Sequence, residues 1–219
     1  MSAPTLGPKS AANAKPTRVL AAISDAGGTV PRSYAYEVSP QEQQRLTGLM
    51  KSLAGSALQN YAKARPGPRP GALEDVSLRS FDLSYSNSPL LVLTARAGEG
   101  PPEPAVRTTK GARRGAKPAP AAESTPPASD AGKDFNFYVT VVAREDFNGN
   151  LRQLMVATTD TNHLDAFSRM ELIDAIDADG DGRGELLFRE ISDIGSNFVL
   201  YRADPDNLTQ LFNGAELER

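Results

Sequence analysis

Asp177-Ala178-Asp179-Gly180-Asp181-Gly182-Arg183-Gly184-Glu185 places four carboxylates at alternate positions of one short stretch. Like charges this close repel unless a cation joins them. A hard divalent cation takes six to eight oxygen ligands in flexible geometry, and Asp177, Asp179, Asp181, the Arg183 carbonyl and Glu185 offer that supply, so Ca2+ is the expected cofactor. Gly180, Gly182 and Gly184 let the backbone curl and aim alternate side chains at one point. The plainer alternative is an acidic, solvated hairpin turn that holds no ion.

Spacing and flanks narrow the type of calcium loop. An EF-hand requires a bidentate Glu at the twelfth position, and counting from Asp177 that position is Phe188. Leu172-Ile173-Asp174-Ala175-Ile176 and Leu186-Leu187-Phe188 are short apolar runs, which points to strands on both sides of the loop and away from a helix pair. From Ile173 to Phe188 the chain resembles the FG-GAP or VCBS repeats, the calcium-loop units of integrin-like β-propeller blades. The resemblance implies side-chain ligands at Asp177, Asp179, Asp181 and Glu185 and a backbone ligand at Arg183. Glu185 stands where that family more often has Asp.

A fainter copy lies upstream. Phe81 to Leu93 aligns without gaps on Ile176 to Phe188: Asp82 falls on Asp177, Ser84 and Ser86 replace two carboxylates, and Leu90 replaces Glu185. If both are one repeated unit, the first kept its turn and lost its charge, and no tight ion is expected there; any two β-hairpins could also align this well. Two such units are too few for a closed propeller, which takes four or more blades.

The elements that position these loops follow from periodicity and punctuation. Thr17 to Ser24 and Ser33 to Val38 read as short strands around Asp25-Ala26-Gly27-Gly28. Ser39, Pro40 and Glu42 give the N-cap, the first helical position and a capping box. Leu46, Leu49, Met50, Leu53, Ala57 and Tyr61 then recur at helical spacing, and Arg65-Pro66-Gly67-Pro68-Arg69-Pro70-Gly71 ends the helix. Strands are expected at Val76 to Leu83, Leu90 to Ala97, Phe135 to Arg144, Leu151 to Thr159, Met170 to Ile176, Glu185 to Ile191, Phe198 to Arg202 and Leu208 to Phe212, with Asn148-Gly149 as a hairpin turn. The fold expected is α+β, mainly an antiparallel β meander with one N-terminal amphipathic helix packed on the sheet.

Four segments are distinguished. Residues 1–16 are a Pro/Ala/Lys-rich tail read as disordered, 17–97 hold the first strands, the helix and the degenerate hairpin, 98–133 form a Pro/Ala/Gly-rich basic insertion, and 134–219 form an acidic antiparallel region with the calcium loop; 17–97 and 134–219 are expected to share one domain. Residues 1–144 carry 18 Lys/Arg against 11 Asp/Glu, and 145–219 carry 6 against 16. The positive charge is scattered and lacks interleaved aromatics, which speaks against nucleic acid. Arg107, Lys110, Arg113, Arg114 and Lys117 within the insertion offer a second reading, binding of an acidic polymer or surface, against the plainer one of a charged linker.

The chain has no cysteine, so disulfides and zinc–thiolate sites are excluded. No run is long enough to span a bilayer. The residues before Thr17 lack a signal-peptide core, so an extracellular or periplasmic location, favoured by the millimolar calcium such loops suit, requires a leader beyond this sequence; otherwise the chain is cytoplasmic. The one histidine, His163, flanked by Asp160 and Asp165, opens a third reading as a hydrolase general base, although no Gly-x-Ser-x-Gly elbow or phosphate-binding loop accompanies it. The function expected is a non-enzymatic calcium-binding β-repeat module whose ion stabilises a hairpin, with a protein or polysaccharide as the possible further partner.

Overall fold

Two antiparallel meanders, each of four consecutive strands, form the body of the protein. The computed structural model describes residues 34–101, 135–146 and 148–218, all within the unit Pro31–Arg219. The tail, the strand expected at Thr17 to Ser24, nearly all of the basic insertion and Phe147 lie outside the described residues. The elements are α1 (Pro40–Lys63), β1 (Pro70–Phe81), β2 (Leu90–Glu99), β3 (Asn136–Glu145), β4 (Leu151–Asp160), β5 (Arg169–Ile176), β6 (Glu185–Ile191), β7 (Gly195–Ala203), β8 (Leu208–Asn213) and β9 (Leu217–Glu218). The first sheet runs β1-β2-β3-β4 and the second β5-β6-β7-β8, with β9 paired to β7. Because β6 takes one edge of β7, β8 and β9 share the other, β9 meeting its first residues.

Helix α1 starts where its cap residues place it. The Ser39 hydroxyl accepts the Glu42 N–H at 3.3 Å, and Pro40 needs no N–H at the first helical position. Only half of the capping box forms, since the Glu42 carboxylate turns to the Arg45 guanidinium. The buried face is Leu46, Met50, Ala54, Leu58, Tyr61 and Ala62. Leu49, expected inside, is 39% exposed, while Ala54 and Leu58 take central places in the core. The face follows the i, i+4 row, on which a small Ala54 lets the helix approach the strands more closely than a bulkier side chain would.

Alternation along the central strands builds two cores from one sheet. Leu91, Leu93, Ala95 and Ala97 on β2, with Phe137, Val139, Val141 and Ala143 on β3, pack under α1. Leu90, Val92 and Val142 point the other way, toward Met170, Ala175, Leu186, Phe188 and Ala203 of the second sheet. The order is therefore helix, sheet, sheet. The doubly covered β2 and β3 read as nearly continuous apolar runs for that reason. Thr140, buried between the sheets, satisfies its hydroxyl on the Met170 carbonyl at 2.7 Å.

Several boundaries differ from expectation. Of the stretch expected as a strand at Ser33 to Val38, the described residues contribute only a bridge, Ala35 to Phe81, with Tyr36 N–H on the Ser80 carbonyl at 2.9 Å. Strand β1 begins at Pro70, inside the stretch read as a helix terminator, because a strand's first residue can lack an N–H. The meander does not stay in one sheet: it breaks at residues 161–168, after which β5 packs against the first sheet. Among the described residues no helix is long and apolar enough to cross a membrane.

Candidate metal centre

The acidic loop spans residues 177–184, between β5 and β6. Asp177 turns inward and clamps it: one carboxylate oxygen accepts the Gly180 N–H at 2.7 Å and the other the Gly182 N–H at 2.9 Å. These bonds require left-handed backbone at both glycines, with φ of 79° and 83°. Asp179 accepts the Asp181 N–H at 3.2 Å, Asp181 the Arg183 N–H at 2.8 Å, and Glu185 the Ala178 N–H at 2.9 Å. Asp177, Asp179 and Glu185 thereby each bring one carboxylate oxygen to within 4.8 Å of the others, a cluster that could hold a metal ion. Of the other expected ligands, Asp181 is not part of that cluster, and Arg183 enters through its N–H on Asp181.

A cation from the protein itself already meets these carboxylates. Arg202, on β7 directly opposite Glu185 in register, places Nε at 3.1 Å and Nη2 at 3.0 Å from Glu185 Oε1. The same Nη2 bonds Asp179 and lies 3.6 Å from Asp181. Burial pushes the Glu185 carboxyl up from its usual range, opposed by the Ala178 N–H and Arg202; the Arg202 bond holds Asp179 below its usual value. Arg202 is itself pushed further into its charged form, first by Asp179 and then by Glu185. Two guanidiniums, Arg183 within the loop and Arg202 against it, still leave the four carboxylates with a net negative charge. Arg202 lies far along the chain and reaches the loop only through β6–β7 pairing, so the loop's own sequence does not reveal it.

The degenerate loop follows the same path. Residues 82–89, between β1 and β2, match 177–184 in length. Asp82 accepts the Ser86 N–H at 3.0 Å and the Asn87 N–H at 2.8 Å, the latter equivalent to the Gly182 bond to Asp177. Tyr85 and Asn87, at φ 52° and 57°, stand where Gly180 and Gly182 stand. Ser84 and Ser86, in the places of Asp179 and Asp181, bond each other at 2.9 Å. The two loops also touch. Gly184 N–H donates to the Leu83 carbonyl at 2.7 Å, and Tyr34 donates its hydroxyl to the Gly182 carbonyl at 3.3 Å. A Cβ on Gly184 would lie 2.9 Å from both Leu83 Cδ2 and Tyr34 Cγ, so glycine is required there by close approach.

The correspondence extends to the third strands. Leu90 pairs with Arg144 as Glu185 pairs with Arg202, and the following turns close through Asp146 N–H on the Asn150 carbonyl and Asp204 N–H on the Asn207 carbonyl. Arg144-Glu145-Asp146 with Asn150-Leu151, and Arg202-Ala203-Asp204 with Asn207-Leu208, are the sequence trace that could have revealed Arg202.

His163 lies on the segment between the sheets. Its Nδ1 is 2.8 Å from each oxygen of the buried Asp160, which also accepts the Tyr61 hydroxyl at 3.1 Å and the Asn162 N–H at 2.8 Å. Asp160 and not Asp165 is the partner. The nearby Thr159 hydroxyl donates to the His163 carbonyl at 3.3 Å. The basic cluster Arg107 to Lys117 lies outside the described residues.

No family model, curated protein or solved structure matches this chain.

Proposed function

We propose that this chain is a calcium-binding β-repeat module without catalytic function, in which the ion ties the β5–β6 hairpin to β7. The observation that carries this is the grouping of Asp177, Asp179 and Glu185 oxygens within 4.8 Å of one another on a loop already curled by its own backbone bonds. Oxygen-only donors suit a hard cation, and the flexible coordination of Ca2+ suits a loop that can still move Asp181 and the Arg183 carbonyl into place. Calcium shares or replaces Arg202 at Asp179, and the fully buried Glu185 anchors the ion to the first residue of β6. The two four-stranded meanders, each with an eight-residue loop after its first strand, support the likeness to FG-GAP/VCBS blade units. A protein or polysaccharide on the stiffened sheets is the partner class this reading implies, in an extracellular or periplasmic setting where calcium is abundant.

Calorimetric titration of the full chain with calcium tests this directly, alongside melting curves in calcium and in chelator. The parent should bind and melt higher with calcium; an ion at ten times its dissociation constant adds about 1.4 kcal/mol. Asp179→Asn and Glu185→Gln, which keep shape and remove charge, should lose both responses. A parent that takes up no calcium, or variants that respond as the parent does, would overturn the assignment.

A further inference from the structure

A cavity of about 590 Å³ lies at the end of the first sheet, where the start of α1, the degenerate loop and the β3–β4 turn meet. That size is typical of small-molecule sites. Val38, Leu46, Pro89 and Pro205 give it an apolar wall, and Ser86 to Ser88 a polar edge. Its charged lining residues are almost all committed elsewhere. Glu42 and Glu145 both bond Arg45, Asp146 accepts the Asn148 and Asn150 N–H groups, and Arg152 pairs with Asp206. Arg144 is the exception: its side chain makes no hydrogen bond or ion pair with a described residue, and its buried Nε has no acceptor. Arg96 and Arg189 also have an unpartnered Nε, but their terminal nitrogens bond Glu74 and Ser196. Burial, first, and Arg183, second, push the Arg144 guanidinium below its usual value, and Asp204, Asp206 and Asp82 oppose them.

The repeat explains what Arg144 lacks. Its counterpart Arg202 meets Glu185 and Asp179 directly and Asp181 at 3.6 Å, whereas Arg144 faces Leu90 in register, and the loop positions equivalent to Asp179 and Asp181 are Ser84 and Ser86. The guanidinium persists where its carboxylates do not. We propose that the cavity binds a small organic carboxylate, its two oxygens on the terminal nitrogens of Arg144 and its apolar body against Val38, Leu46, Pro89 and Pro205. The planar fork of arginine matches a carboxylate in bidentate fashion. A doubly charged phosphomonoester fits less well, because Glu145 and Asp146 on the same wall oppose a second negative charge. The site is separate from the calcium loop and needs no ion.

Ligand-observed NMR and calorimetry on the full chain in chelator, with benzoate, 3-phenylpropionate and indole-3-acetate as probes, test this. At least one should bind with a dissociation constant on the order of 1 mM or tighter. The neutral 3-phenyl-1-propanol should bind at least about tenfold more weakly than 3-phenylpropionate, and Arg144→Gln should weaken the carboxylates by about as much, as expected for a lost charge-assisted hydrogen bond. If Arg144→Gln proves unfolded, Arg144→Lys, which keeps the charge and loses the fork, should show the same direction. Failure of all three carboxylates to bind, equal affinity for acid and alcohol, or undiminished binding to the Arg144 variants would overturn the proposal.

Discussion

The loops at 82–89 and 177–184 share a backbone and differ in chemistry. In both, a leading Asp clamps the N–H of the sixth position, and the fourth and sixth positions are left-handed. In one, the third, fifth and ninth positions are Asp179, Asp181 and Glu185, with Arg202 drawn onto them; in the other they are Ser84, Ser86 and Leu90, and Arg144 is left alone. The path of the loop is therefore set by the clamp and by local backbone conformation, and the ligand set is a separable layer. Left-handed φ costs a non-glycine residue roughly 1 kcal/mol, less for Asn. Tyr85 and Asn87 bear that cost without loss of the turn, which marks the clamp as the stronger determinant.

The sharpest way to break the pairing of the two loops is at their contact. Gly184→Val forces a Cβ and two methyl groups into Leu83 and Tyr34, both buried, and should destabilise by about 3 kcal/mol, the upper part of the range for overpacking. Urea unfolding in chelator measures it; a loss within about 0.5 kcal/mol of the parent would mean the loops can separate freely. A smaller effect should distinguish the two arginines. Arg202→Gln leaves the buried Glu185 without its cation, so its melting temperature in chelator should fall and the rise produced by calcium should grow, since the ion no longer competes with a guanidinium. Arg144→Gln breaks no direct side-chain hydrogen bond or ion pair, so its melting temperature should move less and its calcium response not at all. Equal behaviour of the two variants in paired melts would erase the distinction drawn between the repeats.

Much of this was legible because it is local. The cap at Ser39, the two-residue alternation of β3, the unchanged limits of β6 and the turn at Asn148-Gly149 all depend on near neighbours in sequence. The misses share a different cause. Leu49 lies outside the core because the sheet selects the face of α1, and helical spacing alone tolerates a face rotated by one residue. The meander splits because residues 161–168 turn β5 under β3 and β4, a long-range packing choice with no periodic trace. At the site, the run of carboxylates is visible in the sequence, whereas which of them meet is not: Asp177, Asp179 and Glu185 group together while Asp181 accepts the Arg183 N–H. Arg202 is not apparent from the loop itself, because only strand register brings it to Glu185, and its one trace in the sequence is the likeness of its surroundings to those of Arg144.

The smallest effect tests whether the clamp is truly common to both loops. Asp82→Ala removes the acceptor for the Ser86 and Asn87 N–H groups, which water can partly replace at this exposed turn, so the loss should be about 1 kcal/mol. It should be the same in calcium and in chelator, because Ser84, Ser86 and Leu90 supply no carboxylate to hold an ion. Asp177→Ala should lose a similar amount in chelator and, in addition, the whole calcium response, since its carboxylate serves both as clamp and as ligand. Parallel urea titrations of the two variants, with and without calcium, separate these parts. If Asp82→Ala costs nothing, the matching bonds are incidental to the loop's path; if its cost depends on calcium, the first loop binds an ion despite its missing carboxylates. The pattern expected, equal losses without calcium and unequal losses with it, is what a shared clamp beneath unshared ligands must produce.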